Sequence, residues 1–212
     1  MRSRRTITSL LAAAVVATVM AVPVAAAEPP SVADVLAADG TSFDNDWNDF
    51  DILERAVLTV IGAKPGSPVA ALADPKASLT VFAPTDQAFR RLVDSLTGNW
   101  YGSEAKVFNE LVESVSDLVG PGATIDTIEA VLLYHVVPGK VMSSAVPGLD
   151  GVAVTTVGGG TFTIAVKDDK IKLRDNDTDA SNPRLILDML DIPAGNSVIH
   201  AINRVLRPID LP

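Results

Sequence analysis

The sequence predicts an α+β fold built on a mostly antiparallel sheet. Three observations support this. Apolar residues recur at helical spacing between residues 50 and 135. Short runs rich in β-branched residues dominate 152–206. The two kinds of segment do not alternate regularly and no unit is repeated, which argues against a parallel sheet of strand–helix–strand units and against a solenoid.

The elements follow in order. Residues 28–48 form an extended lead with one short helix around 32–37, ahead of the acidic run Asp44-Asn45-Asp46-Trp47-Asn48-Asp49. A core helix is predicted over 50–61, with Asp49 or Asp51 as N-cap and Phe50, Leu53, Val57 and Ile61 on one face. A turn at 64–68 leads to a short helix at 69–72. Leu79 to Phe82 is strand-like, Pro84 ends it, and Thr85-Asp86 are placed to cap a helix carrying Phe89, Leu92 and Val93. Residues 97–123 form a helical insertion: a Gly-rich loop, Ser103 as cap, Val107, Leu111, Val115 and Leu118 at helical spacing, then the Gly120-Pro121-Gly122 break. Asp126 and Glu129 match a capping box for the next helix, which ends at Tyr134-His135 before the Pro138-Gly139 turn. Strands are predicted at 152–157, 161–166 and 170–174, joined through Gly158-Gly159-Gly160 and Asp168-Asp169. Runs at 185–190 and 198–206 complete the sheet.

Residues 1–27 read as a secretory signal: Arg2, Arg4 and Arg5, an apolar stretch over 10–22, and Ala25-Ala26-Ala27 before cleavage at Glu28. No later apolar run reaches spanning length, so no membrane span is expected after signal removal. The remaining 185 residues suffice for one core. There is no Cys, which excludes disulfides, a thiol nucleophile and a Cys-based zinc site. The first 27 residues hold three Arg and no acid, so the rest carries 14 Lys+Arg against 26 Asp+Glu, a net charge of −12. Such a surface repels nucleic acid and anionic headgroups.

Catalytic signals are sparse. There are two His, His135 and His200, both in apolar surroundings, where a hydrogen-bonded structural role is expected. No Gly-x-Ser-x-Gly elbow accompanies them. Asp175, Asp177 and Asp179 resemble the opening of a calcium loop, but Ala180 stands where that loop needs Gly and Ile186 where it needs Glu. This segment therefore reads as a solvated turn. Gly158-Gly159-Gly160 precedes a strand rather than a helix, so it is no phosphate loop. No cofactor, metal or catalytic residue is expected.

Three segments carry a family resemblance: LTVFAPTDQAF at 79–89, YHVVPGK at 134–140 and NSVIHAINRVLRP at 196–208. In this order they closely resemble the fasciclin-type domain, from about Phe50 to Pro208, with 49–209 as its extent. The resemblance implies a wedge-shaped β-sandwich with helices packed along one edge. It implies a structural network of buried hydrogen bonds on Thr85, Asp86 and His135, with Asn203 near the final strand. It also marks Tyr134 and His135 as candidate contacts with cell-adhesion receptors, although the apolar run before Tyr134 favours a buried ring bonding through its hydroxyl. The function it implies is a secreted, non-enzymatic adhesion or interaction module for an extracellular protein, matrix or cell-surface partner. The alternative is a carrier of a small apolar ligand or lipid between helices and sheet.

Overall fold

A computed structural model describes residues 27–168 and 170–209. The signal reading of 1–27 falls, apart from Ala27, outside the described residues, as does Asp169 of the 168–169 turn. The chain is α+β, and among the described residues five α-helices precede most of the strands: α1 (Val32–Leu36), α2 (Asp51–Ala63), α3 (Asp86–Thr97), α4 (Glu104–Val119) and α5 (Thr124–Tyr134). The strands are β1 (Leu79–Pro84), β2 (Val136–Pro138), β3 (Ala153–Thr155), β4 (Thr161–Lys167), β5 (Lys170–Arg174), β6 (Ile192–Ala194) and β7 (Ser197–Ile202). They form a four-stranded sheet in the order β2-β1-β7-β6 and a three-stranded sheet β3-β4-β5.

The larger sheet is the middle layer. Every residue of β1 and β7 is buried. Leu79, Val81 and Ala83 of β1, with Ile199 and Ala201 of β7, join one apolar core with α1 to α5. Phe82 and Ile202 face the other way, into a second core with Phe162, Ile164, Ile171 and Leu173 of the small sheet. The alternation is the period-two geometry of a strand, and burial on both faces explains the continuous apolar runs. Phe82 and Phe162 meet edge-on, with centroids 5.4 Å apart at 87°, the arrangement ring quadrupoles favour.

Several expectations change. β1 and β7 pair in parallel, Val81 opposite Ile199, so the sheet is mixed. Val136 and Val137, assigned to no element, form β2 against β1 together with Pro138 of the expected turn. Residues 185–190 hold a short 3₁₀ turn, Leu187–Met189, and the strand beside β7 is β6 instead. β6 and β2 are the two edges, and each contains a proline, Pro193 and Pro138. Proline lacks an N–H, so a central position would leave a ladder bond unmade. β3 is shorter than expected and β7 ends at Ile202.

The predicted caps also shift. The N-cap of α2 is Phe50, without a side-chain cap bond, so neither Asp49 nor Asp51 fills that position. α5 starts at Thr124, before the Asp126–Glu129 pair, and those carboxylates instead bind Lys64. Ser31 makes a full capping box with Asp34 at the start of α1. α4 is more than a surface excursion. Val107 and Leu111 join the helical core, and Phe108 lies 6.0 Å from Phe43. Its last turn is different, with Leu118 and Val119 exposed. Among the described residues, no helix is long and apolar enough to cross a membrane.

Candidate functional site

The first motif runs from β1 into α3. Thr85 is the N-cap of α3 but makes no side-chain cap bond. Its backbone N–H donates to Ile202 O, and its carbonyl accepts from Ala88 N. Asp86 is fully buried at the first position of α3, yet it serves another helix: Oδ1 accepts from Ile52 N at 3.0 Å. Ile52 lies in the first turn of α2, whose own N-cap offers no side-chain oxygen. Asp86 therefore supplies the missing cap from across the chain and ties the two helix starts together. Burial, and secondarily the carboxylates of Asp49 and Glu104, push Asp86 up to about 9, although the Ile52 N–H acts the other way.

His135 caps the C-terminal end of α5. Its Nδ1 lies 2.7 Å from Val131 O, and its Nε2 accepts from Leu206 N at 2.8 Å. A carbonyl can only accept, so the hydrogen sits on Nδ1 and the ring is neutral. Burial pushes its pKa down to about 4. The His135 carbonyl accepts from Phe82 N, so one residue joins α5, β1 and the C-terminal segment. The link to the first motif is thus made by the backbone, and the imidazole reaches Leu206 rather than Thr85 or Asp86.

Tyr134 is 2% exposed. Its hydroxyl donates to Thr161 O at 2.6 Å and its ring meets Phe162 edge-on. A Cβ on Gly160 would come within 2.8 Å of the ring, so this tyrosine needs glycine beside it. Tyr134 and His135 are both buried, and neither presents a surface to a partner. Asn203 stands apart from His135. Its N–H and side-chain oxygen pair with the backbone of Arg184, and its carbonyl accepts from Arg91 of α3. His200, in β7, accepts from Asp191 N at Nδ1 and donates from Nε2 to Val141 O.

The acidic segment at 175–179 exposes Asn176, Thr178 and Asp179, as expected of a solvated turn, but not Asp177. Asp177 is buried and pairs with Arg207 at 2.9 Å. Its other oxygen accepts from the N–H groups of Asp179 and Ala180. Burial raises its pKa, but those N–H bonds and Arg207 outweigh it and hold the group below its ordinary value. The guanidinium of Arg207 also bonds Ser95 of α3.

Sequence reasoning did not identify the residues of two features. One is an apolar groove of about 530 Å³, lined by Leu92 and Leu96 of α3, Val115 and Leu118 of α4, Val131 of α5 and Leu206 of the C-terminal segment, among others. The signal existed: α4 continues its apolar stripe to Leu118 and Val119 with nothing in the sequence to pair with them. The other is a group of carboxylates at the start of α2, α3 and α4, containing Asp49, Asp86 and Glu104. These three are separated widely in sequence, so no local motif announces them.

Three comparisons bear on this architecture. A Synechocystis protein, sll1483, is 27% identical over 150 residues, covering 71% of this chain and 66% of that one. A FAS1 domain pair from the insect cell adhesion molecule Fasciclin I superposes with a TM-score of 0.42 at 17% identity, covering 72% of this chain and 44% of that chain. This chain thus spans just under two thirds of the first relative and less than half of the second. The family model of the Fasciclin domain matches residues 66–208, which include β1, His135 and β7. The match starts after α2, although α2 packs into the same core. By this match over most of its length, the chain belongs to the fasciclin domain family.

Proposed function

We propose that this protein is a secreted, non-enzymatic binding module that engages an extracellular protein, matrix or cell-surface component. The observation that carries this reading is the use made of its histidines. Both rings of His135 and His200 are buried, and all four ring nitrogens are committed to backbone groups. A general base needs a face open to substrate. Family membership adds that adhesion-type modules are built on this domain. The test is saturable binding of the purified protein to envelope and matrix fractions, competed by excess soluble protein, run beside a hydrolase screen. Competed binding without turnover is expected. Turnover that disappears in His135→Gln or His200→Gln would overturn the reading.

One observation favours a second reading, a carrier of a small apolar molecule. The groove volume of about 530 Å³ falls within the roughly 300–1,000 Å³ of small-molecule sites. Native mass spectrometry of the secreted protein decides. A carrier retains a discrete adduct, and Ala130→Phe at the groove wall removes it; a bare mass removes the carrier reading.

A further inference from the structure

We propose that Asp49, Asp86 and Glu104 form a binding site for one calcium ion. The three carboxylates come from the chain just before α2, the first residue of α3 and the first residue of α4. One oxygen from each lies within 4.8 Å of the others. Oxygens bound to calcium at about 2.3–2.6 Å can be no farther apart than about 5 Å, so a single ion spans this set.

The acidic grouping alone would not argue for a ligand. The unmet oxygens do. Asp86 and Glu104 are both fully buried, yet among the described residues no N–H or hydroxyl group donates to Asp86 Oδ2 or Glu104 Oε1. Both oxygens of Asp49 likewise lack an N–H donor, and the carboxyl group of Asp49 meets that of Asp86, where only a shared proton could join them. Their partner oxygens are well occupied: Asp86 Oδ1 by Ile52 N, and Glu104 Oε2 by Asn45 N at 2.7 Å. Each of the two buried carboxylates is thus held through one oxygen, while the other accepts no hydrogen bond from an N–H group. A buried acceptor without a donor is costly. Among the described residues, no Lys or Arg forms an ion pair with any of the three. Arg90, on the same helix as Asp86, lies between the rings of Trp47 and Trp100, 4.2 Å from each centroid.

The chemistry selects the ion. All donors are carboxylate oxygens, with no His or Cys, which suits a hard cation over zinc or copper. Magnesium binds at about 2.0–2.1 Å and demands a tight octahedron. Calcium accepts irregular oxygen sets, with water completing six to eight ligands. Asn45, with φ of 71°, holds the approach: its N–H and side-chain oxygen bracket the start of α4 through Glu104. Asp44 and Asp51 stand next to Glu104 and add negative field. Protons are the competing occupants, since Asp49 and Asp86 lie close enough to share one.

The test is calorimetric titration of chelator-stripped full-length protein with calcium chloride at neutral pH. One site per chain is expected, with Kd at or below the 10⁻⁴–10⁻³ M span (approximately) of extracellular calcium modules. Glu104→Gln and Asp86→Asn should each weaken binding at least about tenfold, while Asp46→Asn, an exposed acid of the same loop, should not. Absence of saturable heat at millimolar calcium overturns the site and leaves shared protons as its occupants. Equal weakening by Asp46→Asn overturns it in favour of diffuse surface attraction. Equal affinity for magnesium chloride overturns the assignment to calcium. Asp49→Asn, at a half-buried position, repeats the test if either buried variant fails to fold.

Discussion

At the scale of single residues, the polar groups that look reactive are mostly structural. His135 shows how to separate the two uses. His135→Gln retains a donor and an acceptor. His135→Leu strands Leu206 N–H and should cost about 1–3 kcal/mol more; denaturant midpoints at neutral pH give the comparison. The same ring predicts a pH dependence. Its folded pKa is depressed to about 4 by burial, against about 6.5 when unfolded. Above the unfolded value both states are neutral and nothing is lost. Between the two values the unfolded ring takes up a proton that the folded one refuses. Stability should therefore fall as pH drops from about 6.5 to about 4, by up to about 3 kcal/mol from this group. His135→Gln should remove that part of the slope, and urea titrations of both proteins across the window measure it. Asp86 gives the third residue-level expectation. Asp86→Ala removes the acceptor for Ile52 N and should cost about 1–2 kcal/mol in the presence of chelator. Asp86→Asn keeps an oxygen there and should cost less.

At the scale of elements, local signals survived and long-range ones did not. The helices over 51–63, 86–97 and 104–119 were legible because each carries an apolar face at helical spacing. The observed N-caps of α3 and α4 are the expected Thr85 and Ser103, but the cap of α2 was misassigned because Asp86 acts on it from thirty-four residues away, and capping rules consider only neighbours. β6 was missed because it has only three residues, one of them Pro193; the pairing survives since β6 is an edge. Parallel pairing of β1 with β7 was invisible to any local pattern. The carboxylate cluster was hidden, since it is assembled from distant segments, whereas the groove left a trace in the unpaired apolar stripe of α4. The turn between β6 and β7 offers a test of element packing. Gly195 has φ of 56°, and a Cβ there would sit 2.3 Å from Pro75 O. Gly195→Ala should cost about 2 kcal/mol or more, from left-handed backbone strain plus displacement of the 75–76 loop. A thermal melt that does not move would show that this loop gives way freely.

At the scale of the whole molecule, the larger sheet makes two cores one cooperative unit. Phe82 and Val81 are neighbours in β1, but they belong to opposite cores. Phe162→Ala should therefore cost about 3–5 kcal/mol and lower the transition seen by Trp47 and Trp100, which sit beside Arg90 on the helical side. Tryptophan fluorescence and far-ultraviolet dichroism should shift together; separate transitions would mean that the small sheet unfolds alone. The edges of the larger sheet carry a further meaning. With Pro138 at one border and Pro193 at the other, neither offers a full row of hydrogen-bonding groups to an incoming strand. Copies of this chain are therefore not expected to zip together through either border of the larger sheet. What these two borders offer to a neighbouring molecule is side chains, one patch at a time, and not a free strand edge.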